Sequence, residues 1–240
     1  MLTFDSITKR RGNRTILADI SFEARPGRVT GFLGPNGAGK SSTLRILLGL
    51  DRATSGTALI GGQRYGKIAR PLLTVGSMLD GSGAHRSRSA RAHLGWVATS
   101  NGIPRRRVSE VLDTVGLAPA GRTRVGRFSL GMGQRLGIAT ALLGDPPVLV
   151  LDEPVNGLDP EGIRWIRGLL RDHADRGRTV LLSSHLMGEV AEIADDLAVI
   201  AQGRIVKAGT VADVTAGYGS LEDAFFGLTG GLQQPERGEL

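Results

Sequence analysis

Eight residues near the start of the chain combine glycines with a lysine and a serine, a combination suited to binding phosphate groups. Residues 34–41 read Gly-Pro-Asn-Gly-Ala-Gly-Lys-Ser, which satisfies the P-loop, or Walker A, pattern. Glycines let the backbone bend closely around an anion, so that N–H groups point at phosphate oxygens. We expect Lys40 to reach the β- and γ-phosphates of a nucleotide and the Ser41 hydroxyl to ligate Mg²⁺. The alternative is a glycine-rich turn with an incidental Lys-Ser pair.

The residues on either side of this loop have the patterns of a strand and a helix. Residues 28–33 form a short β-prone run, and residues 42–50 carry apolar side chains at helical spacing. A phosphate-binding loop needs this order of strand, loop and helix, because the dipole at the start of the helix adds to the attraction for an anion. The residues expected to contact the nucleotide here are Gly34, Pro35, Asn36, Gly37, Ala38, Gly39, Lys40, Ser41 and Ser42.

A second candidate site places two acids at the end of a hydrophobic strand. Residues 148–151 read Val-Leu-Val-Leu and are followed by Asp152 and Glu153. Such a continuous apolar run is typical of a buried parallel strand. We expect Asp152 to hold Mg²⁺, directly or through water, and Glu153 to orient and deprotonate the water that attacks the γ-phosphate. The alternative for this pair is a solvated acidic turn.

A third stretch, residues 128–135, reads Phe-Ser-Leu-Gly-Met-Gly-Gln-Arg. Ser129 is a favourable N-cap for a following helix, and Gly131 exposes backbone N–H groups at the helix start. By themselves these residues indicate only a capped helix. A lone histidine after a strand, such as His185, is in the same way most often structural or solvated.

The composition limits the classes of protein that fit. The chain has 240 residues, 40% of them hydrophobic, enough for one domain with a good core. It has no cysteine, which excludes disulfides and thiol chemistry. No stretch approaches the roughly 20 apolar residues of a membrane span, and the N-terminus lacks a signal-peptide pattern, so we expect a cytoplasmic protein. The net charge is +7, but the arginines are scattered without interleaved aromatic residues, so we expect no nucleic-acid partner.

Hydrophobic periodicity gives a coarse order of elements. Apolar residues recur at helical spacing between about residues 80 and 143, with one clear face at Val108, Val111, Leu112 and Val115. Gln202-Gly203 is predicted to be a hairpin turn. Residues 210–228 are expected to be mostly helical, and residues 230–240 to be a polar, glycine-rich tail. The predicted strands are residues 2–8, 16–24, 28–33, 58–60, 72–78, 148–151, 179–183, 197–201 and 204–208.

With the P-loop before it and the acidic strand end after it, the stretch at 128–135 resembles the signature motif of an ATP-binding cassette, the nucleotide-binding subunit of an ABC transporter. Compared with the usual Leu-Ser-Gly-Gly-Gln, Leu130 replaces the first glycine and Met132 the glutamine. Ser129 and Gly131, which the family uses against the γ-phosphate, are kept. The resemblance continues through residues 155–160, similar to the D-loop, and His185, similar to the switch histidine that contacts the γ-phosphate. Residues 221–229 are similar to cassettes of bacterial drug and bacteriocin exporters.

Two positions depart from the family pattern. Near Arg11 the family usually has an aromatic residue that stacks on adenine. An arginine plane can also stack on a base, but Arg11 can equally be an exposed side chain. At Asp80 the family usually has a glutamine that senses the metal and the attacking water and links to the membrane subunit. Asp80 can ligate Mg²⁺ through oxygen, or it can be a solvated loop acid.

The resemblance implies a fold and a domain plan. We expect an α/β P-loop NTPase (RecA-like) core with an antiparallel β edge and an inserted helical subdomain. The whole chain, residues 1–240, would be one ATP-binding domain. Its core would span about residues 1–79 and 146–229, the helical subdomain about residues 80–145, and a flexible tail residues 230–240.

The resemblance also implies a function. The chain would be the ATP-hydrolysing subunit of an ABC transporter that powers export, with an antibiotic or a lipid-like compound as the expected cargo and with ATP and Mg²⁺ as cofactors. Two copies would bind head to tail with ATP between the P-loop of one and Ser129/Gly131 of the other. A separate transmembrane permease would hold the chain at the inner face of the membrane. One alternative is a soluble ABC-type ATPase acting on nucleic acid or ribosomes; another is a P-loop module without turnover.

Overall fold

The structure is a computed structural model that describes residues 1–79 and 81–230. Asp80 and the predicted tail from residue 231 onward lie outside the described residues. The strands are β1 (Leu2–Arg11), β2 (Arg14–Ala24), β3 (Val29–Leu33), β4 (Ser55–Ile60), β5 (Val75–Met78), β6 (Val148–Asp152), β7 (Thr179–Ser184), β8 (Asp196–Ala201) and β9 (Arg204–Thr210). The helices are α1 (Lys40–Leu47), α2 (Pro71–Thr74), α3 (Ala90–Ser100), α4 (Arg106–Thr114), α5 (Leu130–Leu142), α6 (Pro160–Asp175), α7 (Met187–Ala191), α8 (Val211–Thr215) and α9 (Leu221–Thr229).

A six-stranded sheet forms the centre of the fold, in the order β5-β6-β7-β3-β8-β9. All its pairings are parallel except that of β8 with β9, which Gln202-Gly203 joins as the predicted hairpin. Strands β3 and β7 are buried at every residue, as their apolar sequences predict. Because neighbouring parallel strands end at the same edge of a sheet, the loops after β3, β6 and β7 meet there.

A second sheet of three antiparallel strands, in the order β2-β1-β4, packs beside the first. A row of aromatic rings joins the two sheets. The rings of Phe4 and Phe22 stack with centroids 4.2 Å apart, and the Phe22 ring lies 5.0 Å from that of Phe32 in β3. Helix α1 contributes to the same hydrophobic core through Leu44, Ile46 and Leu47. The sheet provides the predicted antiparallel β edge.

Helices α3, α4 and α5 lie in the chain between the paired strands β5 and β6. The predicted face of α4, continuing through Val115, is buried against the other helices. Helix α5 packs on β5 so closely that a Cβ atom added at Gly76 would lie 1.9 Å from the carbonyl oxygen of Ala141. Glycine at position 76 therefore determines how closely α5 can approach the sheet.

The prediction of a single strand over residues 72–78 is wrong for its first half. Residues 71–74 form the short helix α2, and the strand begins at Val75. Pro71 occupies the first turn of α2, where its fixed φ favours a helix and its missing N–H costs nothing. The other predicted strands are present, with ends that differ by a few residues.

Candidate active site

The phosphate-binding loop follows β3 directly and leads into α1. Gly37 and Gly39 adopt positive φ angles of 79° and 114°, which side chains larger than glycine rarely adopt. Gly39 is the N-cap of α1, and the helix begins at Lys40. The exposed Ser41 stands in the first turn. The loop therefore presents free backbone N–H groups and the positive end of a helix dipole to one point, as an anion site requires.

The side chain of Lys40 is buried at this point, with 7% of it exposed. Its Nζ donates a hydrogen bond to the carbonyl oxygen of Gly34 at 2.6 Å and lies 3.7 Å from Oε1 of Glu153. Burial lowers the pKa of Lys40 from its ordinary value, while the carboxylates of Glu153 and Asp152 oppose that change. The lysine is thus a fixed cation that shares its surroundings with two acids.

The two acids stand where β6 ends, and a serine from β7 fixes both. The Ser183 hydroxyl donates to Oδ1 of Asp152 in a short hydrogen bond. The backbone N–H of Glu153 donates to the carbonyl oxygen of Ser183 at 3.1 Å and to its Oγ at 3.2 Å. Glu153 has a φ of 51°, uncommon for a residue with a side chain. This conformation turns the glutamate out of the line of the strand.

His185 follows β7 and reaches the same glutamate. Its Nδ1 lies 2.8 Å from Oε2 of Glu153, while Lys40 approaches Oε1. The carboxylate of Glu153 therefore lies between an ammonium group and an imidazole. A carboxylate held in this way can accept a proton from water.

The signature residues lie at a different cavity. Ser129 is the N-cap of α5, and its Oγ accepts a hydrogen bond from the N–H of Met132 at 3.2 Å. The cavity beside it measures about 440 Å³ and is lined by residues 129–132, Arg135 and the D-loop residues 157–159. The P-loop residues 35–38 line another cavity of about 750 Å³. Ser129 and Gly131 therefore line a different cavity from the one that P-loop residues 35–38 line.

Arg11 lies at the end of β1, with 71% of its side chain exposed. Its Nη2 lies 3.4 Å from Oδ2 of Asp51, and it does not line the 750 Å³ cavity described beside the P-loop. Residues 14–16 of β2 and the exposed ring of Phe226 in α9 line that cavity instead. The role of Arg11 at adenine stays a prediction.

Sequence reasoning missed two residues of this site. Ser183 joins Asp152 to the backbone of Glu153, as described above. Gln134 in α5 donates from Nε2 to the carbonyl oxygen of Glu153 at 2.8 Å. The signal in the sequence was a polar residue among apolar ones on a helix, which indicates burial with a partner but does not name the partner.

Two features are absent from the described residues. Within residues 1–79 and 81–230, no helix is both long and apolar enough to cross a lipid bilayer. The same residues contain no group of three or more His, Cys, Asp or Glu side chains placed to hold a metal ion.

Comparisons with known proteins identify the family of this chain. A family model described as ABC transporter matches residues 17–156. The lantibiotic transport ATP-binding protein SrtF of Streptococcus pyogenes is 38% identical over 206 residues, covering 86% of this chain and 89% of SrtF. The bacitracin transport ATP-binding protein BcrA of Bacillus licheniformis is 40% identical over 204 residues, covering 84% of this chain and 67% of BcrA.

A solved ATP-binding subunit of an ABC transporter has the same fold. It superimposes with a TM-score of 0.86 at 25% identity, covering 95% of this chain and 99% of the other. The predicted P-loop α/β fold and the predicted family are confirmed. The chain therefore belongs to the ABC transporter family, as an ATP-binding subunit with ATPase activity.

Proposed function

We propose that this chain hydrolyses ATP with Glu153 as the general base and thereby drives export of a peptide antibiotic. The observation that carries the catalytic part is the carboxylate of Glu153, held between Lys40 and His185. The export part rests on the relatives, because SrtF and BcrA are named for transport of a lantibiotic and of bacitracin. Both of these relatives are named as transport proteins, and neither favours a nucleic-acid function.

In the reaction we infer, each residue has a separate task. The N–H groups of the P-loop and the ammonium of Lys40 bind the phosphates and hold them in line with the attacking water. Glu153 accepts the proton of that water. His185 donates a hydrogen bond to the γ-phosphate and stabilises the charge that develops on its oxygens.

The residues at the P-loop suit a magnesium ion. The Ser41 hydroxyl and the Asp152 carboxylate are hard oxygen donors, which Mg²⁺ prefers. Asp152 is fixed by the Ser183 hydroxyl, so its second oxygen can turn to a cation. When bound, Mg²⁺ would neutralise charge on the β- and γ-phosphates. Asp80, outside the described residues, stays a predicted third ligand.

A working site needs a second copy of the chain in this proposal. Ser129 and Gly131 line a cavity apart from the P-loop residues, and Leu130 between them is 72% exposed. A head-to-tail pair would bring Ser129 and Gly131 of one copy to the nucleotide of the other. A permease subunit would supply the membrane crossing and hold both copies at the inner face of the membrane.

The test of the catalytic part compares four proteins. We expect the wild type to release phosphate from ATP in the presence of Mg²⁺. Glu153→Gln should bind ATP normally but turn over at least about a hundredfold more slowly, because the amide cannot accept the proton. With ATP it should elute as a dimer in size-exclusion chromatography. Lys40→Met should bind ATP at least about thirtyfold more weakly, since a charge-assisted contact is worth about 2 kcal/mol.

Glu161→Gln, an exposed acid in the first turn of α6, serves as the matched control and should behave as the wild type. Full turnover by Glu153→Gln would show that another residue activates the water.

The test of the export part uses cells. The chain is expressed with a candidate permease, and the minimal inhibitory concentrations of bacitracin and of a lantibiotic are measured. Wild type, but not Glu153→Gln, should raise one of these concentrations and should copurify with the permease. Copurification without any change in resistance would contradict a peptide antibiotic as the cargo, while leaving the ATPase assignment intact.

A further inference from the structure

Hydrogen bonds to both the N–H group and the carbonyl group of Glu153 hold its backbone in an uncommon conformation. Its φ of 51° lies in the left-handed region, which costs a residue with a side chain free energy unless its surroundings fix it. On one side the N–H donates to Ser183. On the other side the carbonyl oxygen accepts a hydrogen bond from Nε2 of Gln134 at 2.8 Å and a longer one from the backbone N–H of Asn156 at 3.2 Å. These bonds constrain the peptide planes on either side of the carboxylate.

Gln134 is a buried side chain, 7% exposed, on the second turn of α5. A buried amide that loses its acceptor is left with an unmet hydrogen-bonding group. The Glu153 carbonyl has a second donor, the Asn156 N–H, but Gln134 is the donor that comes from α5. The Gln134 hydrogen bond joins α5 to the residue that follows β6, 19 residues later in the sequence. It is therefore a tertiary contact that depends on where α5 lies relative to the sheet.

The same helix carries Ser129 at its N-cap. Gln134 follows Ser129 by about one and a half turns, and an α-helix moves as a rigid rod over that length. A displacement of the N-terminal end of α5 therefore moves the shorter-bonded of the two donors to the carbonyl of Glu153. The side chain of Gln134 therefore connects the signature residues at the start of α5 to Glu153.

We propose that Gln134 is a positioning residue that sets the direction of the Glu153 carboxylate through its hydrogen bond to the Glu153 carbonyl, so that the placement of α5 controls turnover. This inference rests on the proposed role of Glu153 as the base. It assigns Gln134 no contact with the nucleotide. Loss of the bond should therefore lower kcat and leave the affinity for ATP almost unchanged.

The experiment uses the full chain with Mg²⁺ and ATP. Gln134→Met keeps the length of the side chain and removes the donor. We expect kcat to fall by about ten- to one-hundredfold with KM within about twofold, because a small misplacement of a catalytic group costs this much. Gln63→Met, at an exposed glutamine, is the matched control and should keep the wild-type kcat.

Gln134→Glu separates the hydrogen bond from packing. An ionised carboxylate cannot donate to the Glu153 carbonyl, but a protonated one can. The ratio of its kcat to that of Gln134→Met should therefore rise at least about threefold as the pH falls from 8 to 6, since burial raises the pKa of a carboxyl group. The charged groups near this position, Lys40, Asp152, Glu153 and His185, are the same in both proteins, so the ratio reports on position 134.

Two results would overturn the proposal. One is a wild-type kcat in both position-134 variants. The other is a lowered kcat whose ratio between the two variants does not change with pH, which would assign the loss to packing alone. Failure of the underlying function is recognised separately: wild type would show no turnover, or Glu153→Gln would turn over as fast as wild type.

Discussion

At the scale of single residues, the Glu153 carboxylate has two neighbours, Lys40 and His185. We expect replacement of Lys40 to weaken ATP binding and replacement of His185 to lower kcat. Lys40 is buried and bonded to the P-loop carbonyl of Gly34, and in the proposed reaction it binds phosphate. The side chain of His185 is 42% exposed and bonded only to the Glu153 carboxylate among the contacts described for it. In the proposed reaction His185 acts on the reacting phosphate rather than on bound ATP.

His185→Ala should lower kcat by at least about tenfold while KM for ATP stays within about threefold, because the imidazole acts on charge that develops during the reaction. Steady-state phosphate release measures both constants. His85→Ala, at an exposed histidine, is the control and should match the wild type. A raised KM with an unchanged kcat would mean that His185 binds the ground state.

The residues of the site fall into those that sequence could and could not predict. The positions of Lys40, Asp152 and Glu153 were predictable because they follow from short-range spacing next to a strand or helix end, while their roles stay predictions. Ser183 and Gln134 were not, because their partners lie in other elements and are set by tertiary packing. Arg11 shows a further limit, since its type permits stacking but its exposure and its pairing with Asp51 depend on the fold.

At the scale of elements, α5 packs closely on β5 because residue 76 is a glycine, whose side chain is a single hydrogen atom. At Gly76 a methyl group would overlap the carbonyl oxygen of Ala141. Gly76→Ala should therefore destabilise the protein by at least about 2 kcal/mol, because backbone would have to move. Urea denaturation measures this difference.

Gly168 gives the matched comparison. It lies inside α6, and a Cβ added there would meet nothing within 4 Å. Gly168→Ala should leave stability unchanged or raise it by up to about 1 kcal/mol, because alanine favours helix. Equal destabilisation by Gly76→Ala and Gly168→Ala would show that the loss of stability does not come from overlap between residue 76 and the Ala141 carbonyl.

Helix α6 is also tied to the segment that follows His185. The guanidinium of Arg167, 18% exposed, donates short hydrogen bonds to Glu189 in α7 and to Glu192 just after it. Arg167→Met should lower the free energy of unfolding by about 1 kcal/mol, and about 0.5 M salt should reduce the difference because the glutamates are partly exposed.

Arg106→Met is the control for this pair. Arg106 is 77% exposed and lies 3.8 Å from Glu110 within one helix, so its loss should change the stability by only a few tenths of a kcal/mol. If both variants lose the same amount of stability, the ion pairs of Arg167 with Glu189 and Glu192 do not stabilise the packing of α7 on α6.

The elements themselves were largely predictable, since apolar runs and helical periodicity identified β3, β6, β7 and α4. The short helix α2 was missed because two leucines and a threonine fit a strand as well as a helical turn, and the preceding proline decided between them. The order of the strands in the sheet could not be obtained either, because long-range pairing leaves no local pattern in the sequence.

At the scale of the whole molecule, a buried histidine makes stability depend on pH. Burial, helped by the charge of Arg178, lowers the pKa of His173 to about 4 from its ordinary value of 6.5, and Asp145 opposes the change. The unfolded chain binds a proton at higher pH than the folded one. Stability present above pH 6.5 is therefore lost as the pH falls towards 4, by roughly 3 kcal/mol in all.

His173→Gln should show a shallower loss of stability than the wild type between about pH 6.5 and 4.5, measured by urea denaturation at each pH. His85→Gln, at an exposed histidine, should keep the wild-type slope. Parallel slopes for wild type and His173→Gln would mean that His173 is protonated in the folded protein at these pH values.

The strand order also has a consequence for how the protein is made. Strand β3, which carries the P-loop, lies between β7 and β8, and both of these strands come from the last third of the chain. A ribosome that has produced only the first half of the protein has made the phosphate-binding loop but neither strand that flanks it. ATP therefore has no formed pocket to bind on the nascent chain, and nucleotide can assist folding only after residue Ala201 has emerged.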